Sequence, residues 1–179
     1  EIHNRPIYVQ RLPVNDTKII LYFHNDPLSM NGSKNEDERI KLLELCSKIV
    51  FNSQWSKDRF LSGIDEIYVK STKLIVIRQS TEPQKVNIND KEKIITFVGK
   101  LNKAKGYDVF GSAIIEILNK FKDWKAIVIG DEEREKITFN HERLEIKGFK
   151  KHKDVINILK KTNIAVVCSR WQEPFGRTS

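Results

Sequence analysis

Two lysines frame a short polar loop that lies between an apolar run and a helical pattern. The loop covers residues 99–106 (GKLNKAKG), with Lys100 beside the first glycine and Lys105 beside the second. Glycine lets a ligand approach the backbone closely, and two ammonium groups at a strand end can neutralise a diphosphate. The spacing is not that of a Walker A loop, which needs GxxxxGK followed by Ser or Thr. A diphosphate site and an ordinary surface loop both fit this segment.

A carboxylate follows the last apolar run of the chain, within residues 169–179 (SRWQEPFGRTS). At a strand end, the carboxylate of Glu173 can accept hydrogen bonds from vicinal hydroxyls, as sugar recognition requires. Residues 177–179 are predicted to form the first turn of a helix, whose free N–H groups suit a phosphate. The competing interpretation is a capped turn in which the glutamate is incidental.

One histidine follows an apolar run in the first half of the chain. His24 stands in the segment YFHND, directly after Phe23. A lone histidine in a loop is usually structural or faces solvent, but its position at a strand end makes it a candidate for the site. The sequence contains no Asp-x-Asp pair, no Cys/His cluster with zinc spacing, no GxGxxG and no GxSxG. We therefore expect neither a metal ion nor a cofactor.

The elements that position these residues alternate between strand-like and helical patterns. Parallel sheets covered on both faces have nearly continuous apolar strands, and they bind ligands at the carboxyl ends of those strands. A polar stretch around Pro83 separates two such series, which predicts an α/β fold with two parallel sheets. Strands are predicted over 18–23, 48–52, 73–78, 94–98, 125–129, 143–147 and 164–168, and helices over 36–46, 54–61, 107–121 and 151–161.

Charge is distributed unevenly along the 179 residues. Residues 1–90 carry 13 basic and 12 acidic side chains, whereas residues 91–179 carry 19 and 12, a net charge of +7. Phosphate groups, nucleic acid or an anionic membrane surface would suit this excess, and so would a simple solvated surface. The two cysteines, Cys46 and Cys168, are expected to be buried free thiols, which fits a reducing compartment.

Taken in order, four segments of the second half resemble a known enzyme family. FVGKLNKAKG, AIVIGD, LEIKGF and IAVVCSRWQEPFG are similar to the second half of retaining GT-B glycosyltransferases, the large family numbered four. The resemblance covers residues 94–179 and extends more weakly over 1–80 through YFHND and KIVFNSQWSKDRF. The opening EIHNRP and the segment WQEPFGRTS are most similar to bacterial enzymes that build lipopolysaccharide or other surface glycans.

The resemblance implies a GT-B fold of two Rossmann-like halves, both incomplete in this chain. Residues 1–80 would end the acceptor-side half, 81–93 would be a linker, and 94–179 would bind the nucleotide sugar. The second glutamate of the family's Glu-x7-Glu motif would fall at position 181, and the chain opens without a methionine. We therefore expect these residues to be an internal piece of a longer protein.

The same resemblance assigns roles to four polar side chains. Lys100 and Lys105 would hold the donor diphosphate, Glu173 would bind hydroxyls of the donor sugar, and His24 would lie beside that sugar. The family usually has arginine where Lys100 stands, and lysine keeps the charge without the bidentate fork. Six further residues would contact the phosphates, the base or the sugar of the donor: Gly99, Gly148, Phe149, Phe175, Gly176 and Thr178.

The implied activity is transfer of a sugar, with retention, from a nucleotide-diphosphate sugar to a hydroxyl of a glycan or glycolipid. Such an enzyme would work in the cytoplasm and could contact the anionic inner face of the membrane. Alternatives with the same architecture are a nucleotide-sugar epimerase and a phosphorylase. A nucleic-acid-binding module is a further alternative, although the aromatics are not interleaved with the lysines as in known modules.

Overall fold

The computed structural model describes residues 1–13, 16–80, 82–171, 174 and 176. The chain divides into two compact units, the first formed mainly by Glu1–Thr81 and the second mainly by Glu82–Trp171. Each unit is built around its own parallel sheet. This confirms the predicted α/β class with two parallel sheets.

The first unit has a four-stranded parallel sheet in the order β1-β2-β3-β4. Helices connect the strands in the βαβ manner that parallel pairing requires. Its strands are β1 (Ile2–His3), β2 (Ile20–Phe23), β3 (Lys48–Phe51) and β4 (Leu74–Val76), and its helices are α1 (Pro6–Val9), α2 (Glu36–Leu45), α3 (Gln54–Leu61) and α4 (Glu66–Val69).

Local sequence explains where the two longer helices of this unit begin. Asn35 caps α2 by accepting the backbone N–H of Glu38, whose side chain reaches back to complete a capping box. Ser53 caps α3 in the same way through the N–H of Ser56, at 3.1 Å. The core below the sheet includes three packed phenylalanine rings: Phe23, Phe51 and Phe60.

The second unit has a four-stranded parallel sheet in the order β7-β6-β5-β8. The strand order therefore reverses between β5 and β8, and such a reversal opens a crevice at the carboxyl ends of the two strands. Its strands are β5 (Glu92–Val98), β6 (Lys125–Ile129), β7 (Leu144–Ile146) and β8 (Thr162–Val166), and its helices are α5 (Tyr107–Lys120) and α6 (His152–Lys161).

Helix α5 supplies most of the core on its side of this sheet. Its buried residues recur at helical spacing and include Tyr107, Phe110, Ile114 and Leu118. They pack with Phe97 of β5, whose ring centroid lies 5.4 Å from that of Tyr107. No helix among the described residues is long and apolar enough to cross a membrane.

Most predicted elements form, but several boundaries were wrong. Strand β8 begins at Thr162 instead of at residue 164, because the buried hydroxyl of Thr162 bonds that of Thr96 at 2.7 Å. Strand β5 begins at Glu92, inside the stretch predicted to be a linker. Cys46 is buried as expected, whereas Cys168 is only partly buried, and both are free thiols.

Candidate functional site

The loop after β5 is held by its backbone to the loop after β6. The Gly99 N–H donates to the Ile129 carbonyl at 3.0 Å, and the Leu101 N–H donates to the Asp131 carbonyl at 3.3 Å. Gly130 has a φ of +140°, and a Cβ there would lie 1.8 Å from the Gly99 oxygen. The close approach of these two loops therefore requires glycine at position 130.

The same loop also contacts the segment after β8, at the point where the strand order reverses. The Ala104 carbonyl accepts the N–H groups of Arg170 at 2.9 Å and of Trp171 at 3.2 Å. Gly106 is left-handed, with a φ of +72°, and a Cβ there would come within 2.0 Å of the Cys168 oxygen. The lysine loop and residues 168–171, which follow β8, are thus neighbours.

The structure brings both candidate lysines to this crevice. Lys100 is exposed, and within the described part of the chain its ammonium has no hydrogen bond or ion pair. Lys105 is half-buried, and its backbone N–H is fixed by the Asn102 side chain at 3.0 Å. Its Cγ lies 3.9 Å from where a Cβ on Gly99 would stand. Two lysines therefore lie in the loop at the carboxyl end of β5.

A carboxylate supports this loop from the side of β6. Glu132 accepts a hydrogen bond from the Asn102 amide at 3.1 Å and one from the Arg134 guanidinium at 3.0 Å. The Arg134 guanidinium and backbone N–H, helped by the Asn102 amide, lower the pKa of Glu132 to about 2. Its side chain is only 6% exposed, so these hydrogen bonds keep a buried carboxylate ionised beside the loop that carries the lysines.

The predicted base-binding residues lie at the same edge but two strands away. Gly148 follows β7 with a φ of +63°, and its carbonyl accepts the Gly130 N–H at 3.0 Å. Phe149 is 73% exposed, so its ring is available to a ligand.

Three predicted site residues, Glu173, Phe175 and Thr178, lie outside the described residues, as does the helix turn predicted over 177–179. Gly176 is described and half-buried, and Pro174 is buried. The roles assigned to these positions stay predictions.

His24 lies at the carboxyl edge of the sheet in the first unit, where neighbouring strands hold it in place. Its backbone N–H donates to the Asn4 side chain at 2.8 Å, and its carbonyl accepts the Asn52 amide at 2.9 Å. Its ring nitrogens lie 2.9 Å from Nδ1 of His3 and 3.2 Å from Nε2 of Gln79. Hydrogen bonds from three other parts of the unit thus converge on one residue.

A pocket of about 200 Å³ opens beside His24, within the first unit. Asn52 on its wall is 5% exposed, and Oδ1 of that side chain has no hydrogen-bond partner among the described residues. A buried carbonyl oxygen without a partner favours a ligand that can donate a hydrogen bond. The wall consists of Tyr22, Phe23, His24, Val50, Asn52, Ile77, Arg78 and Gln79.

The described residues contain no group of three or more His, Cys, Asp or Glu side chains that could hold a metal ion. The geometry of the second unit instead offers lysines beside a strand switch. A family model described as "Glycosyl transferases group 1" matches residues 78–179, more than half of the chain. The chain belongs to this glycosyltransferase family.

Several solved structures share the fold of this family member at low sequence identity. Anabaena Alr3699/HepE in complex with UDP-glucose is 16% identical, with a TM-score of 0.64 over 89% of this chain and 49% of HepE. TarM is 13% identical, with a TM-score of 0.60 over 89% of this chain and 34% of TarM. The lipopolysaccharide outer core galactosyltransferase WaaB, in its apo form, is 15% identical, with a TM-score of 0.55 over 92% of this chain and 46% of WaaB.

The chain therefore spans half or less of the length of these solved proteins, and its fold is of the GT-B type. A sequence search among curated proteins finds no match.

The residues that surround His24 were not predicted as site residues from the sequence. The opening EIHNRP contributed to the family resemblance, but neither His3 nor Asn4 was a candidate for the site. Asn4 has a φ of +52°, and asparagine is one of the few residues that tolerates this conformation. Asn4, an asparagine directly after the first strand, was the signal available in the sequence. A turn at this residue brings its side chain to the edge of the sheet, where it accepts the His24 N–H.

Proposed function

We propose that the full-length protein transfers a sugar, with retention, from a nucleotide-diphosphate sugar to a hydroxyl of a glycan or glycolipid. The observation that carries this proposal is the lysine loop at the strand switch of a glycosyl transferases group 1 domain. HepE has been solved with UDP-glucose and with UDP, which makes a uridine diphosphate sugar the first donor to test.

The chemistry asks for positive charge where the leaving group departs. Breaking the glycosidic bond leaves an oxocarbenium-like sugar and a diphosphate whose negative charge grows in the transition state. Lys100 and Lys105 would stabilise that charge, and a preorganised loop would do so without reorganisation at the moment of reaction. Their loop is already fixed through Gly99 and Asn102. We propose that this pair takes the place of a metal ion.

The remaining roles follow from the family resemblance. Glu173 would accept hydroxyls of the donor sugar, with the backbone of Phe175 and Gly176 beside it. Thr178 would meet the phosphates. Phe149, next to Gly148, would pack against the nucleotide base. In the first unit His24 would lie beside the donor sugar.

Synthesis of lipopolysaccharide or another cell-surface glycan is the proposed biological setting. WaaB, a lipopolysaccharide outer core galactosyltransferase, has the same fold. The net charge of +7 in residues 91–179 would favour a peripheral contact with an anionic membrane, where glycolipid acceptors reside.

The test begins with a thermal-shift screen of the full-length protein against nucleoside diphosphates and their sugars. A ligand that binds the folded state raises the melting temperature, so the donor should produce the largest rise. The donor is then incubated with and without hydroxyl acceptors, and the anomeric configuration of the product is read by NMR. Conversion of the donor into a different nucleotide sugar without an acceptor would indicate an epimerase. A product with inverted anomeric configuration would contradict retention. No shift with any nucleotide would overturn the proposal.

A further inference from the structure

The pairing of the two edge strands brings a second imidazole to His24. Strand β1 lies parallel to β2 with His3 opposite Tyr22, and the two rings stack with centroids 4.5 Å apart. Nδ1 of His3 then lies 2.9 Å from Nε2 of His24, with the two rings nearly parallel. A neutral imidazole has one donor nitrogen and one acceptor nitrogen, so in this contact one ring donates and the other accepts.

The other side of the His24 ring determines that direction. Nε2 of Gln79, an amide nitrogen that can only donate, lies 3.2 Å from Nδ1 of His24. Nδ1 then accepts, and when both rings are neutral the proton of His24 is on Nε2 and is donated to Nδ1 of His3. The proton of His3 is on its own Nε2, which faces the Glu1 carboxylate at 3.8 Å. The hydrogen bonds therefore point the same way, from the Gln79 amide to His24 and from His24 to His3.

The backbone of His24 leaves only the ring to be oriented. Its N–H is held by Asn4 and its carbonyl by Asn52. Asn52 and the ring of His24 both line the 200 Å³ pocket, as does Gln79. Nδ1 is thus the ring atom next to Gln79, a residue that also lines the pocket.

We propose that His3 is a positioning residue for His24. It locks the Nε2–H tautomer of His24, so that Nδ1 is held as a hydrogen-bond acceptor for a sugar hydroxyl that replaces the Gln79 amide. This inference rests on the proposed function, because the sugar is the ligand expected beside His24. It assigns a role to a residue that touches no substrate itself.

Two substitutions at His3 separate its acceptor atom from its ring. In His3→Asn, the amide oxygen occupies the position of Nδ1, so the acceptor is kept and the stacking ring is lost. In His3→Phe, the ring still stacks on Tyr22 but no acceptor remains. The full-length protein carries each change, with His152→Phe as the control, because His152 is exposed in the second unit.

The first readout is the ¹⁵N spectrum of the His24 ring at about pH 8, above the range in which histidine usually titrates. Wild type and His3→Asn should show a protonated Nε2 and an unprotonated Nδ1, whereas His3→Phe should show a mixture of tautomers. The second readout is kcat/KM for the donor, which should fall about tenfold in His3→Phe. His3→Asn should stay within about threefold of wild type.

The outcomes distinguish this inference from the proposed function. An unchanged His24 spectrum in His3→Phe, or equal losses of kcat/KM in both His3 variants, would overturn the positioning role. His24→Ala tests the underlying assumption: wild-type activity there would remove His24 from the proposed site, while the spectra would still decide whether His3 sets the tautomer. If His3→Phe does not fold, His3→Leu supplies the variant that lacks the acceptor.

Discussion

The two sheets differ in whether the polar side chains at their carboxyl edges are held by other residues of the chain. In the first unit the backbone and both ring nitrogens of His24 have partners within the chain. In the second unit the chain fixes the backbone around Gly99, while the Lys100 side chain is exposed. The first arrangement orients an imidazole ring, and the second presents a charge. The contrast suggests that orientation matters at one edge and available charge at the other.

Changing the glycine that supports the lysine loop should have the largest effect. A Cβ on Gly130 would lie 1.8 Å from the Gly99 oxygen, and its φ of +140° is unfavourable for other residues. Because the neighbouring group is backbone, the two loops must separate. Gly130→Ala should lower the free energy of unfolding by about 3–5 kcal/mol, as measured by urea denaturation. Hydrogen exchange in β5 and β6 should locate the loss.

Gly148→Ala is the matched control for that change. Its φ of +63° is also left-handed, but no atom of the described residues lies within 4 Å of the added Cβ. It should cost only about 1–2 kcal/mol, which is the strain of the backbone conformation alone. Equal losses for the two alanines would show that close approach of the loops is not what requires Gly130.

The lysines should matter for ligand binding more than for stability. Lys100→Ala and Lys105→Ala should each weaken binding of a nucleoside diphosphate, with smaller effects on the bare nucleoside. A hydrogen bond to a charged group contributes about 1.5–3 kcal/mol, which corresponds to roughly a 10- to 150-fold loss measured by calorimetry. The unfolding midpoint of Lys100→Ala should stay close to wild type, because that side chain is exposed.

Lys125→Ala controls for net charge, since Lys125 is exposed at the start of β6, at the opposite edge of the same sheet. It should leave the affinity for diphosphate unchanged. Equal losses for diphosphate and nucleoside in the Lys100 variant would contradict a phosphate contact.

How far the sequence predicts the fold depends on whether an element is defined locally. Helix α3 has the predicted bounds, because Ser53 caps it locally. Strand β6 also has its predicted bounds. Strand β1 has two residues and no periodicity of its own, so only its pairing with β2 defines it. The start of β8 depends on the contact between Thr162 and Thr96, which are 66 residues apart.

The same distinction applies to the candidate site. Gly99 and Lys100 were predicted to lie at a strand end because they directly follow an apolar run. Since parallel strands align their carboxyl ends, this local pattern also predicted the edge of the sheet at which they lie. The contacts of His24 with His3 and Gln79 join residues 21 and 55 positions away, and no local pattern encodes them. Whether the lysines bind a diphosphate stays a prediction.

In the first unit, removing one of the partners of His24 should have a moderate effect. Asn4→Ala loses the hydrogen bond to the His24 N–H and places alanine at a φ of +52°. The two costs together should reach about 1–2 kcal/mol in the free energy of unfolding. Exchange of the His24 amide proton should accelerate correspondingly. Asn4→Gly relieves the backbone strain but not the lost bond, so it should fall between alanine and wild type.

The smallest effect concerns pH and the carboxylate under the lysine loop. The pKa of Glu132 is lowered to about 2, below its ordinary value, chiefly by the Arg134 guanidinium. A carboxyl group with a lower pKa in the folded state stabilises that state above its unfolded pKa, and the benefit is lost as the pH falls towards the folded value. Wild type should therefore exceed Glu132→Gln in its urea midpoint at neutral pH, and the gap should narrow as the pH falls below about 4.5. The gap is expected to be small because Arg134 is largely exposed to solvent, which screens the pair. The glutamine variant keeps the amide oxygen as an acceptor for Asn102, so the comparison isolates the charge. A gap that stays constant from neutral pH down to about pH 3 would mean that the ionised carboxylate contributes nothing to the loop. The loop would then be held by the backbone bonds of Gly99 and Leu101 and by the Asn102 side chain.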